Sequence, residues 1–425
     1  MSQSSTLPPA PAAGGRARGR KIQLGAMMFL QYAIWGAWAP VLSSHLLGDL
    51  GFSGGQVGWI YALLPLATII APIIGGQVAD RYFSTERVIG FLSFTGGIVL
   101  MVVARTADFD TMFVLMLLYC LLYAPTLALT NSIAMINMED SEKEFGTIRV
   151  WGTLGWIAAG WMLTGWRWFG ESDLLPAMQG DMLFLAGMLS LVMGLQSFLL
   201  PHTPPQREGV SPWAFLESVK MLKVKDFAIF VGITFVVATE LEFYYILTAP
   251  FLESATIGVS SRNIPAVMTI AQFAEIFVMA FMLSWALKKY GMRRTLAIGV
   301  IAWPIRYIIF AIGSPAWLVI ASLMLHGFCY VFFFVAAFIY VDKVAPPDIR
   351  ASAQSLIAII ALGLGRFLGS LFAGGVRDWF TTNGVTNWTN VFLVPCALTI
   401  VCAVAFLLFF REKPGPVTSQ TGEVT

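Results

Sequence analysis

The sequence predicts an all-α integral membrane protein, and two observations carry that expectation. Of 425 residues, 57% are hydrophobic and only 12% are charged, whereas a soluble protein carries about 25% charged residues. Apolar runs of about 20 residues recur along nearly the whole chain, the length a helix needs to cross a hydrocarbon core of roughly 30 Å. A third observation bears on function. Glu240, Glu242 and Glu275 lie inside apolar runs, while the other 21 of the 24 acids fall in tails or polar connections. A charge at the bilayer centre costs roughly 2.5–3.5 kcal/mol on insertion scales, so such groups are expected to bind a polar solute or carry a proton.

Twelve helices are expected, at 22–46, 55–79, 88–105, 109–136, 146–168, 181–200, 227–250, 263–287, 295–312, 315–341, 350–376 and 386–410. The connections are short except for the polar stretch 201–226, a cytoplasmic linker that divides the chain into six-helix halves, 22–200 and 227–410. Residues 1–21 are rich in Pro, Ala, Gly, Ser and Arg and precede a full-length span, so they read as a disordered basic tail and not a cleaved leader. Residues 411–425 form a second tail. The basic residues check the count. With both tails on one side, 19 of the 26 Lys and Arg fall on that side and 4 on the other; Arg149, Arg306 and Arg366 lie within spans. The positive-inside rule then places both termini in the cytoplasm.

The halves echo each other. Ala79-Asp80-Arg81-Tyr82 follows the second helix, and Ala286-Leu287-Lys288-Lys289-Tyr290 follows the eighth, 207 residues later. Two similar halves related by an axis along the membrane normal suit a rocking transporter with a midplane site. A net charge of +2 gives no basis for nucleic-acid binding. The four cysteines form no C-x-x-C pair and the three histidines are dispersed, so neither a disulfide framework nor a metal site is expected. No H-E-x-x-H, G-x-S-x-G or P-loop string occurs, which argues against an intramembrane enzyme or an ATP-driven pump within this chain. A receptor or scaffold fits the spans but leaves the buried polar groups unexplained. No cofactor is expected, and the protein is expected to act as a monomer.

Gly76-Gln77-Val78-Ala79-Asp80-Arg81 resembles the signature between the second and third helices of the major facilitator superfamily. Longer strings resemble one branch of it, the bacterial nucleoside:proton symporters. They are Phe29-Leu30-Gln31 with Trp35-Gly36-Ala37-Trp38, Pro125 through Asn131, Ile148-Arg149-Val150-Trp151-Gly152-Thr153, and Ile349 through Gln354. The resemblance spans all the expected helices. It implies the major facilitator fold, two pseudo-symmetric six-helix bundles around a central cavity in the bacterial inner membrane, with proton-driven uptake of a nucleoside-like solute.

Candidate site residues follow. On the fifth helix, Arg149, Thr153 and Trp156 share a face at i, i+4 and i+7. They offer a cation, a hydroxyl and a flat aromatic surface to a ring with polar edges. Arg149 could instead snorkel or pair near Glu142 and Glu144. The resemblance implies ligand contact at all three positions, with Trp156 standing where Phe is usual. On the eighth helix, Gln272 and Glu275 face together, and the resemblance implies solute binding for both and proton coupling for Glu275. Desolvation disfavours a charged carboxylate, which suits a proton carrier. The competing reading pairs Glu275 permanently with Arg306 or Arg366.

On the seventh helix, Glu240 and Glu242 point about 200° apart, so they cannot face one cavity. Glu242 shares a face with Tyr245. The resemblance aligns these two with a Gln and an Asn that contact ligand, and aligns Glu240 with a Glu expected to hydrogen-bond to a neighbouring helix. On the tenth helix, His326, Tyr330 and Val331 align with a Tyr, a Phe and a functional Asp. Because that Asp is absent, Glu242 is expected to take over its part in proton coupling. Gln31 and Trp35 are weaker site candidates. Asp80 and Arg81, with Arg87, are expected to gate the transport cycle by locking helix ends. Stacking and hydrogen-bonding groups serve a pyranose as well as a ribose, so a sugar or glycoside carrier stays open, as does a uniporter without coupling.

Overall fold

The computed structural model describes residues 13–138, 140–170, 179–204 and 215–412, with the side chains at 13–17, 72–82, 141–143 and 215 outside that description. Helices account for almost all of it. They are α1 (Ala13–Trp38), α2 (Gly54–Tyr82), α3 (Thr85–Val103), α4 (Phe109–Ile136), α5 (Ser141–Phe169), α6 (Asp181–Gln196) and α7 (Lys225–Glu253). Then come α8 (264–290), α9 (292–312), α10 (Ala316–Val344), α11 (Arg350–Trp379) and α12 (Trp388–Phe409). Among the described residues, nine helical stretches are long and apolar enough to cross a membrane. One of them, Ile264–Ile312, holds both α8 and α9, folded at Gly291, where φ is 77°. A side chain there would be strained, and glycine is not.

Several boundaries differ from expectation. The first helix starts earlier, at Ala13, and stops at Trp38 instead of reaching 46. Pro40 lacks the amide that would continue the ladder, and short turns carry the chain through Leu42–Ser44 and His45–Asp49. The expected connection at 80–87 shrinks to Phe83 and Ser84. The one expected at 288–294 is helical apart from Gly291. Between α11 and α12, where only a connection was expected, Thr381–Thr382 and Val385–Thr386 form a two-stranded hairpin. Its turn is Asn383-Gly384, both with positive φ (49° and 77°), the pairing that a tight two-residue hairpin requires.

Side-chain caps set several helix starts. Ser53 and Gln56 form a reciprocal capping box at α2. Asp108 caps α4, and hydrogen bonds from the Thr111 side chain and amide hold its carboxyl below the usual carboxylate range.

Glycines let helices touch backbone to backbone, as helix pairs in lipid commonly do. A Cβ on Gly155 of α5 would fall 2.0 Å from the Phe29 carbonyl oxygen of α1. One on Gly58 of α2 would fall 2.6 Å from the Ser370 carbonyl oxygen of α11. The second contact joins the N-terminal half to the C-terminal half, and hydrogen bonds reinforce it at the same end of the helices. Asp378 accepts from the Gly54 and Gly55 amides at 2.6 and 2.7 Å. Trp168 donates to Asn263 at 2.8 Å, Arg167 donates to the Ser261 carbonyl at 2.8 Å, and the Ala266 amide donates to Thr164 at 3.0 Å. These bonds latch α2 to α11 and α5 to α8 on the side carrying the 47–53, 254–263 and 380–387 connections.

Candidate functional site

Below that latch, α1, α5, α7 and α11 bring an aromatic box together. The Trp156 ring meets Trp35 edge-on at 5.4 Å and Tyr245 at 6.3 Å. The Arg366 guanidinium sits 5.1 Å from the Tyr245 ring centre and 5.5 Å from that of Trp35, distances at which a cation is attracted to a ring face. With Trp38 and Tyr61 these side chains leave about 10 Å³, room for one water at most. The site is therefore closed at its latched end.

Arg366 is held from behind. Its Nε donates to Glu242 in a short ion pair, and Ser370 donates to the other Glu242 oxygen at 3.2 Å. Glu242 is buried, and its side chain is only 1% exposed. The carboxylate expected to face solute is thus engaged by Arg366, which presents the cation to the aromatic box in its place. Glu240 points elsewhere, as helical phase requires. Tyr307 of α9 donates to the Glu240 backbone carbonyl. The expected hydrogen bond from the Glu240 side chain is missing, since both carboxylate oxygens are buried without a hydrogen-bond partner.

A second group of polar residues lines α5, α8 and α10. The Arg149 guanidinium lies 3.9 Å over the Tyr32 ring of α1, while Glu144 pairs with Lys21 at 2.8 Å; the Glu142 side chain lies outside the described ones. Arg149 is half-buried, as are Thr153 and Glu275. The charges of Arg149 and Glu275 act on each other and on Tyr330. The arginines considered as permanent partners of Glu275 are engaged elsewhere, Arg366 with Glu242 and Arg306 with His326. Gln272 is buried, and its Oε1 has no hydrogen-bond partner. His326 is buried between the rings of Tyr244 and Tyr330, at 4.5 and 5.7 Å.

Of the weaker candidates, Trp35 is in the box. Gln31 is not: it donates to Thr126 of α4 at 2.8 Å, inside the N-terminal half. Asp80 and Arg81 fall in the stretch whose side chains lie outside the described residues. Among the described residues, no group of three or more His, Cys, Asp or Glu could hold a metal ion.

A family described as nucleoside H+ symporter matches residues 19–414. The chain belongs to the nucleoside H+ symporter family. It is similar to the YegT protein of Escherichia coli (strain K12), 37% identical over 412 residues that cover 93% of this chain and 95% of YegT. It is also similar to the nucleoside permease NupG of the same organism, 30% identical over 424 residues that cover 95% of this chain and 99% of NupG. The crystal structure of the nucleoside transporter NupG matches with a TM-score of 0.81 at 29% identity, covering 92% of this chain and 99% of that one. A D-xylose-proton symporter, 13% identical with a TM-score of 0.71 over 93% of this chain and 98% of its own, shares the fold.

As a member of the nucleoside H+ symporter family, this chain was expected from the resemblance to place an acid on α10 where valine stands. Val331 stands at the expected acid, is buried, and lies in a widened π-helical turn, Tyr330–Val335. Such turns often mark functional segments. Sequence reasoning missed Arg366 and Tyr32 as cavity-side groups. For Arg366 the signal was present, an arginine within a span, which by default marks a functional site. For Tyr32 there was none, because a single aromatic in an apolar run is ordinary.

Proposed function

We propose that this protein imports a nucleoside-like solute with protons by alternating access, as a monomer in the bacterial inner membrane. In this reading twelve helices cross the bilayer as two six-helix halves, 22–200 and 227–410, joined by a cytoplasmic linker at 201–226. Both termini are cytoplasmic, in keeping with the basic residues concentrated on that side. The latch between α2 and α11 and between α5 and α8 then closes the outer end.

One observation carries the solute assignment. The box of Trp35, Trp156 and Tyr245 adjoins hydrogen-bonding groups from both halves: Tyr245 meets His326 at 6.1 Å, and Arg149 lies over Tyr32, whose ring is 6.5 Å from that of Trp35. A flat base needs a ring surface, and its polar edge and ribose need donors and acceptors. NupG is named a nucleoside permease and another relative, 28% identical, a xanthosine permease, which agrees with that assignment. Glu275 is the proton carrier: it is half-buried, it lies in the field of Arg149, and no permanent arginine pair occupies it. Glu242 acts through Arg366, which it holds against the box.

The test is uptake by purified protein in liposomes, with nucleosides and glycosides offered singly. Saturable uptake of uridine or inosine is expected. Uptake of glycosides alone would overturn the solute assignment.

A further inference from the structure

We infer that Arg306 fixes the hydrogen-bonding form of His326, so that His326 presents its Nε2–H as a donor to an acceptor atom of the solute. The inference rests on the proposed solute cavity and names one feature the solute must have there.

Arg306 is fully buried in α9. Aromatic faces surround its guanidinium, with Tyr244 and Trp303 each 4.5 Å away and Tyr307 at 5.2 Å. Its Nε and Nη2 have no hydrogen-bond partner, and its Nη1 lies 3.2 Å from His326 Nδ1. A guanidinium only donates. Nδ1 must therefore accept, and a neutral ring then carries its hydrogen on Nε2. A hydrogen on Nδ1 would set one N–H against another.

That Nε2 is itself buried without a partner. Rings on both faces hold the imidazole plane, Tyr244 at 21° and Tyr330 at 25°. Tyr245, a wall of the aromatic box, meets it edge-on at 6.1 Å. The next residue, Gly327, packs against α8 so tightly that a Cβ would fall 2.6 Å from the Ala274 carbonyl oxygen. This seats His326 beside the helix that carries Gln272, whose buried Oε1 also has no partner. Two unpartnered polar atoms on adjacent helices, one a donor and one an acceptor, leave a desolvation cost that a solute with matching atoms removes. A solute without an acceptor leaves the Nε2–H stranded and is rejected on that account.

The tautomer is directly measurable, because the chain has only three histidines. In protein labelled with 15N-histidine, the difference spectrum against His326→Phe assigns the ring. The expected result is a hydrogen on Nε2, none on Nδ1, and an Nε2 shift when uridine binds. Arg306→Met should mix the tautomers and raise the uridine KM about fivefold at unchanged Vmax, the loss of roughly one neutral hydrogen bond. Arg306→Lys keeps a donor and should come within about twofold of the parent. A hydrogen on Nδ1, or uridine that binds without moving Nε2, overturns the inference. Uridine that fails to bind the parent protein overturns the solute assignment instead, and the tautomer of the free protein still tests the role of Arg306. If Arg306→Met does not fold, the parent spectrum and Arg306→Lys decide the matter.

Discussion

The ion pair behind the aromatic box yields a quantitative test. Glu242 and Arg366 have side chains 1% and 13% exposed, and they come from α7 and α11, 124 residues apart. Removing one member of a buried pair strands the other charge and costs about 3–5 kcal/mol, whereas replacing both with uncharged groups costs far less than the sum. In Glu242→Gln the Ser370 hydrogen bond at 3.2 Å still has an acceptor, so the lower end applies, ~3 kcal/mol. Arg366→Met should cost about the same, and the double substitution no more than either single one, which makes the non-additivity ~3 kcal/mol. Reversible unfolding in detergent, followed by circular dichroism across the four proteins, gives this cycle. Uptake should fail in both single variants and in the double, because the cation beside Tyr245 is misplaced or gone. Single costs under about 0.5 kcal/mol, or a double cost equal to their sum, would refute a buried pair that positions Arg366.

Further expectations follow from the box, the latch and the helix contacts. Trp156→Ala should weaken nucleoside binding by at least about fivefold, since stacking of a base on an aromatic is worth roughly 1–3 kcal/mol, while Trp156→Phe should retain most of it; equilibrium binding with purified protein measures both. Asp378→Ala removes two acceptors from the α2 amides, each charge-assisted bond worth about 1.5–3 kcal/mol. It should shift the population toward the state open at the latched end, seen as faster thiol labelling of a cysteine placed at Ala39, which is buried beside the aromatic box. Gly155→Ala should abolish stable folding, because its methyl would lie 2.0 Å from the Phe29 carbonyl oxygen; loss of the monodisperse peak on gel filtration reads this out.

Much of this architecture was legible in the sequence because a bilayer allows few solutions. Backbone polar groups must be satisfied within each span, so apolar length alone located most helices. Helical phase separated Glu240 from Glu242 and set Arg149, Thr153 and Trp156 on one face. Local stereochemistry overrode apolar length in two places. Pro40 ends the first helix, and Asn383-Gly384 makes a hairpin that spacing alone did not suggest. Partner choice was not readable. Whether Arg366 meets Glu242 or Glu275, whether Arg306 meets an acid or a histidine, and which carboxylate caps α2 depend on the tilt and rotation of helices far apart in sequence. Glu242 shows the consequence. On the resemblance it was expected to touch solute and share in proton coupling, and in three dimensions it is the anchor of an arginine.

The most direct test of the central claim is proton movement driven by the solute. Liposomes containing the protein, loaded with a pH-sensitive dye and held at equal pH on both sides, are given uridine from outside. Internal acidification that follows uridine, and that is lost in Glu275→Gln while uridine exchange persists, is the predicted result. Uridine entry with no change in internal pH, or acidification undiminished in Glu275→Gln, would contradict the account.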